Sequence, residues 1–247
     1  MTIKRETADM PTDRPMPERL RRRELLRRSA VYLVTEEAFS GRRTSESIAE
    51  AALAGGVRVV QVREKACTAR RALEIAEALR ESTARHGALL LVNDRVDIAV
   101  AVGADGVHVG QDDHPVAVAR RMLGPDALIG LSITDATQLA AADVADADYL
   151  GVGAVFPTDT KPDAAMTGLE LLAAARAAAP ELPIVAIGGI KADNAAEAIC
   201  AGADSVAVIT AITLAADPED ATRALVAAAE AARRERPEAT RPEATRR

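Results

Sequence analysis

Gln61, Arg63 and Lys65 occupy alternating positions in QVREK, at the end of a short β-branched run that begins at Val57. Alternate residues of a strand share a face, so this spacing gathers two cations and an amide on one side. Such a cluster suits a polyanionic group; the competing reading is solvated charge, with Arg63 and Lys65 paired to Glu64 or another acid. The next run ends in Asn93, Asp94 and Arg95, and the one after it in Gly110, Gln111, Asp112 and Asp113. Asp94 and Asp113 each precede an expected helix, where an aspartate commonly serves as an N-cap. At neighbouring strand ends beside Arg63 and Lys65, the two carboxylates also suit Mg²⁺, which is held by one or two carboxylates plus substrate phosphate oxygens. The cation lets carboxylates and phosphates share a pocket without repulsion.

A second set of polar groups follows later runs. Ser132 closes the run from Leu128, and PTDTK supplies Thr158, Asp159, Thr160 and Lys161 on a loop whose backbone Pro157 and Pro162 restrict. Two hydroxyls and an ammonium there could grip anionic oxygens, or the segment could be a plain turn. Gly188 and Gly189 end the seventh run, and Ile209 and Thr210 end the eighth. Paired glycines allow close backbone approach, so a side chain at Gly189 is expected to block a phosphate. His86, His108 and His114 lack the HExxH spacing of zinc hydrolases, and no GxSxG elbow is present. No GxGxxG follows the first run and no GxxxxGK[ST] occurs, so the usual dinucleotide and Walker phosphate loops are missing.

The elements that must position these groups repeat along the chain. Eight short apolar runs begin at Val31, Val57, Ala88, Gly106, Leu128, Asp148, Pro183 and Ser205. Alanine-rich segments of helical spacing lie between them, among them 69–85, 115–123, 169–179 and 192–201, and a last one starts at Pro218. Near-continuous apolar strands belong to a parallel sheet buried on both faces. Eight strand–helix units in about 200 residues predict a single (β/α)₈ TIM barrel, with an open doubly wound sheet as the alternative. In a barrel, the groups just after each strand share the C-terminal mouth, where active sites lie.

The 247 residues divide into a tail over 1–28, disordered or partly helical, a barrel over 29–235 and a disordered tail over 236–247. LRRRELLRR, Leu20 to Arg28, reads as an end helix with solvated charges or as a basic nucleic-acid arm. Neither tail shows an apolar face, so removal of both is expected to leave turnover intact. Hydrophobic residues make up 49% and charged residues 28%, enough for a real core without metal or disulfide staples. A formal charge of −6, two Tyr, two Phe and no Trp oppose nucleic-acid binding. Cys67 and Cys200 show no metal or disulfide spacing, which suits a reducing compartment. No apolar run approaches membrane length and the N-terminus lacks a signal-peptide pattern, so a cytoplasmic protein is expected.

In order and at these strand ends, QVREK, NDRVDIA, DGVHVGQDD, GLS, YLGVGAVFPTDTK, PIVAIGGI and SVAVIT resemble the thiamine-phosphate synthase family, over roughly Val31 to Leu214. The resemblance implies a transferase of thiamine biosynthesis. It would condense 4-amino-2-methyl-5-hydroxymethylpyrimidine diphosphate with hydroxyethylthiazole phosphate, giving thiamine phosphate and diphosphate. Its partners would be these small molecules, with neither nucleic acid nor membrane. It further implies that Gln61, Arg63, Lys65, Asn93 and Lys161 hold the pyrimidine diphosphate, with Ser132 near the pyrimidine ring. Asp94 and Asp113 would hold Mg²⁺, while Thr158 and Thr160, Gly189 or its neighbour Gly188, Ile209 and Thr210 would hold the thiazole phosphate, and Asp159 would be a further substrate-binding residue of the loop. Arg63, Lys65, Ser132 and Lys161 would carry catalysis of a dissociative reaction in which a pyrimidine-stabilised carbocation is captured by the thiazole nitrogen. Such chemistry needs a neutralised leaving group and aligned substrates but no strong protein nucleophile. Two other functions fit the same barrel: a thiazole tautomerase-like relative, which does without the diphosphate and magnesium set, and a non-catalytic sensor of phosphate ligands.

Overall fold

The computed structural model describes residues 16–158, 160 and 166–236. Each of the eight apolar runs yields one strand: β1 Val31–Thr35, β2 Val59–Val62, β3 Leu89–Asn93, β4 Gly106–Val109, β5 Leu128–Ile133, β6 Tyr149–Val152, β7 Ile184–Ile187 and β8 Ser205–Val208. All neighbours pair in parallel and in sequence order, and β8 returns to β1 through Leu33 opposite Val208, closing the barrel. The open-sheet alternative is thereby excluded. The helices are α1 Glu18–Arg28, α2 Ser45–Ala54, α3 Ala69–Arg85, α4 Val96–Ala101, α5 Val116–Leu123, α6 Ala142–Asp146, α7 Gly168–Ala178, α8 Ala195–Cys200, α9 Thr210–Thr213 and α10 Pro218–Glu235. Local chemistry starts several of them. Thr44 and Thr68 cap α2 and α3 by accepting backbone N–H bonds, and Asp217 caps α10 just before its first-turn proline.

Alternation along each strand divides the apolar residues into two cores. Outward residues such as Val31, Leu33, Val60 and Leu90 pack under the helices, while Tyr32, Val34, Val59, Leu89, Leu91, Leu128, Tyr149 and Val185 fill the barrel interior. Leu26 joins that interior cluster at 1% exposure, with Leu25 packed beside it. The segment expected to present only solvated charges therefore packs an apolar ridge of α1 against the N-terminal end of the barrel. Burial of one leucine contributes roughly 2 kcal/mol, so α1 belongs to the folded body. Arg236, at the start of the C-terminal tail, is likewise buried, and it pairs with Asp204 at 3.1 Å.

At this same end a clasp recurs three times. Asp105, Asp148 and Asp204 each stand immediately before an even-numbered strand. Each accepts the first or second N–H of the preceding strand: Leu90 at 2.8 Å, Ile129 at 2.8 Å and Ile184 at 2.9 Å. Each also binds an arginine from the helix before that strand, Arg80 at 2.6 Å, Arg120 at 2.5 Å and Arg176. Arg22 and Arg19 of α1 add to Asp105 and Asp148. Arg233 of α10 donates to the carbonyls of Arg27, Arg28 and Ser29, which ties the last helix to the first.

Candidate active site

At the opposite mouth a cavity of about 840 Å³ is bounded by Gln61, Arg63, Lys65, Asn93, Asp94, Asp113, Ser132, Thr158, Thr160, Gly188, Gly189, Ile209 and Thr210. Asp159 and Lys161 fall outside the described residues. β2 ends at Val62, so only Gln61 of the QVREK trio sits on a strand face; Arg63 and Lys65 reach the cavity from the loop beyond. Arg63 is paired with an acid, as the competing reading allowed, but that acid is not Glu64. Its guanidinium bonds Glu36, a buried residue just past β1, while Glu64 accepts bonds from Thr35, Ser45 and the backbone N–H of Glu37. Burial lowers the Arg63 pKa, against the fields of Asp94 and Glu64. Glu36 thus holds one cation at the mouth, a role that a lone glutamate after a strand does not reveal in sequence.

Neither aspartate caps a helix. Arg95 and Pro115 occupy the N-cap positions of α4 and α5, with no side-chain cap bond at either. Asp113 instead accepts the N–H of Gly110 at 2.8 Å, and Asp94 lies 3.4 Å from the Lys65 ammonium. Burial, then contact with Asp113, raises the Asp94 pKa, and Lys65 offsets part of that rise. Asp94 also has a φ of 58°, a left-handed conformation that aspartate tolerates better than most residues. Two carboxylates pressed together beside a cation form a hard oxygen donor set, and their repulsion is what a divalent cation would relieve.

The phosphate-side loops are built by backbone packing. The N–H groups of Val155 and Phe156 bond the carbonyls of Ile187 and Gly188, zipping the loop after β6 to the loop after β7. Gly188 and Gly189 have φ of 100° and 66°, and a Cβ on Gly189 would lie 2.3 Å from the Pro157 carbonyl oxygen. Glycine is therefore required at 189 by left-handed backbone and by this close approach of two loops, before any ligand is considered. Asn194 braces the turn by accepting from Lys191 N–H at 2.8 Å and donating to the Gly189 carbonyl at 3.0 Å.

Below the mouth, a polar chain crosses the barrel. Gln61 donates to the Tyr32 hydroxyl at 2.6 Å, Tyr32 and Tyr149 hydroxyls lie 3.1 Å apart, and His108 bridges Tyr149 at 2.9 Å and Ser132 at 2.9 Å. Burial holds the His108 pKa down at about 4, so the ring is neutral at physiological pH. His108 has no metal-ligand spacing to mark it in the sequence. Its signal was a polar residue at an inward position of GVHVG, facing strands that carry Gly130 and Gly151. A Cβ at Gly130 would strike Tyr149 at 2.1 Å, and one at Gly151 would lie 2.7 Å from His108, so these glycines make room for the two rings.

Among the described residues no helix is long and apolar enough to cross a membrane. Residues 31–212 match the family model described as thiamine monophosphate synthase. The thiamine-phosphate synthase of Natronomonas pharaonis is 50% identical over 203 residues, spanning 81% of this chain and 94% of the relative. That of Laribacter hongkongensis is 52% identical over 200 residues, covering 80% and 94%. The solved thiamine phosphate pyrophosphorylase from Pyrococcus furiosus superimposes with a TM-score of 0.77 at 38% identity, covering 84% of this chain and 98% of that one. A family match over most of the barrel and relatives of this identity lead to one assignment: this chain belongs to the thiamine-phosphate synthase family, transferases of thiamine biosynthesis.

Proposed function

We propose that the chain joins 4-amino-2-methyl-5-hydroxymethylpyrimidine diphosphate to hydroxyethylthiazole phosphate at this mouth. The bond from the pyrimidine methylene carbon to the diphosphate oxygen breaks, with the electron pair leaving on diphosphate. The thiazole nitrogen then forms the new carbon–nitrogen bond. One observation carries the reading: Arg63, Lys65, Asp94, Asp113 and Ser132 line one cavity, with two cations and two carboxylates on the same side. Arg63, anchored by Glu36, and Lys65 offer positive charge to the departing diphosphate. Asp94 and Asp113 would hold Mg²⁺, which when bound neutralises charge on the leaving group. Asn93 and Gln61 orient the pyrimidine substrate with Ser132, while Thr158, Thr160, Gly188, Gly189, Ile209 and Thr210 receive the thiazole phosphate. Lys161 of the loop joins the groups that hold the pyrimidine diphosphate, and Asp159 beside it is a further substrate-binding residue. Phosphorylated substrates do not cross membranes unaided, which supports action in the cytoplasm.

The test is incubation of the purified protein with both substrates and Mg²⁺, with thiamine phosphate as the expected product. Asp94→Asn and Asp113→Asn should each lower turnover by about 10²–10³-fold and shift the magnesium titration, in line with loss of one electrostatic stabiliser. A protein that only isomerises a thiazole carboxylate phosphate, or variants with wild-type turnover and titration, would overturn the reading.

A further inference from the structure

We propose that His108 and Tyr149 are positioning residues that fix the direction in which the Ser132 hydroxyl proton points. The inference rests on the reading that Ser132 faces the pyrimidine substrate. It starts from counting protons along the buried chain. The Gln61 amide nitrogen donates to Tyr32 Oη at 2.6 Å, so the Tyr32 proton must go elsewhere. Tyr32 is fully buried, and its other hydrogen-bond partner among the described residues is Tyr149 Oη at 3.1 Å. Tyr149 therefore accepts from Tyr32, and its own proton goes to His108 Nδ1 at 2.9 Å. A neutral imidazole that accepts at Nδ1 carries its proton on Nε2, which donates to Ser132 Oγ at 2.9 Å. The Ser132 hydroxyl, with its lone pair taken from below, is left to donate its own proton into the cavity that it lines.

The opposite order fails on the same count. If Ser132 donated to His108, Tyr149 would donate to Tyr32, whose oxygen would then accept twice. Its proton would lie buried without an acceptor, a penalty of about 1–3 kcal/mol. Gly130 and Gly151 leave the space that the Tyr149 and His108 rings occupy, which a Cβ would fill. A serine held as a donor recognises a lone pair, such as a ring nitrogen of a heteroaromatic substrate, and rejects a C–H or N–H at that point.

The tautomer can be read directly. In protein carrying ¹⁵N-labelled histidine, two-bond ¹H–¹⁵N correlation of the ligand-free enzyme should show His108 as the Nε2–H form, assigned by its absence in His108→Gln. Tyr149→Phe keeps the ring and removes the link. It should abolish the uniform Nε2–H signature and lower kcat about 10-fold while KM for the thiazole phosphate stays unchanged. His108→Gln, which can still present an N–H to Ser132, should keep more turnover than His108→Leu. An Nδ1–H tautomer would mean that Gln61 turns its carbonyl to Tyr32 and that the chain runs the other way, which overturns the proposal. Wild-type kcat in Tyr149→Phe overturns it as well. An Nε2–H signature in a protein that makes no thiamine phosphate would leave the chain's direction supported and refute the reaction assigned above.

Discussion

At the N-terminal end of the barrel, Asp105, Asp148 and Asp204 each accept a strand N–H and at least one arginine, and all three are buried. At the C-terminal mouth, Asp94 and Asp113 crowd each other beside one half-exposed lysine. Both ends bring carboxylates and cations together. They differ in how completely each carboxylate is satisfied. The lower aspartates have partners for both oxygens and no room for a ligand, so their charge is spent on holding strands to helices. The upper pair is only partly relieved by Lys65 and opens on a cavity, and such residual frustration is what a functional site looks like in an otherwise satisfied structure.

The contrast breaks most severely at Asp204. Arg176 and Asp204 are each 4% exposed, and Arg236 bonds the second carboxylate oxygen. Asp204→Ala should remove the carboxylate counter-charge of two buried guanidinium groups and the acceptor of the Ile184 N–H, at a cost of about 3–5 kcal/mol. Urea denaturation would measure it, with turnover per folded molecule close to wild type because the site lies at the other end. A stable Asp204→Ala protein that has lost turnover would erase the distinction between the two ends.

Next in size is α1. Removal of residues 1–28 should lower stability by about 3 kcal/mol, since it exposes the interior residues that Leu26 covers and removes Arg19 and Arg22 from their clasps. An unchanged denaturation midpoint for the truncated protein would mean that the barrel closes its own floor.

Much of the mouth was legible in sequence because a (β/α)₈ barrel converts a sequence position, the residue after an apolar run, into a place in space. Arg63, Asp94, Asp113 and Ser132 reach one cavity for that reason. What stayed hidden depends on partners far apart in the chain. Glu36 matters only because Arg63 folds back onto it, and His108 only because Tyr149 and Ser132 converge on its two nitrogens. The packing of α1 is hidden in the sequence for a related reason. Its nine-residue LRRRELLRR has a weak apolar stripe, and it is the arginine-to-Asp148 and arginine-to-Asp105 pairs, 129 and 83 residues away, that seat Leu26. The clasps did leave a trace: Ala-Asp precedes β4, β6 and β8 alike, in ADGV, ADYL and ADSV.

The smallest effect sharpens the contrast because its sign is reversed. In the folded protein the Asp94 carboxyl titrates above its ordinary range, first through burial and then through Asp113. The native state therefore holds the Asp94 proton more tightly than the unfolded chain does. Its contribution to stability is favourable at low pH and is lost as pH rises through the interval between the unfolded and folded values. At neutral pH the ionised group is a net burden. Asp94→Asn removes that burden with a side chain of the same shape that also tolerates the φ of 58°. In metal-free buffer the substitution should raise stability by about 0.5 kcal/mol at neutral pH, and the gain should vanish in acid below the carboxylate range. Added Mg²⁺ should then stabilise the wild type and leave Asp94→Asn nearly unmoved, since only the wild type retains both carboxylates. Urea midpoints at two pH values, with and without the cation, would read all of this. A variant less stable than wild type in metal-free neutral buffer would show that Asp94, like Asp204, is a structural residue, and the two ends of the barrel would no longer differ in kind.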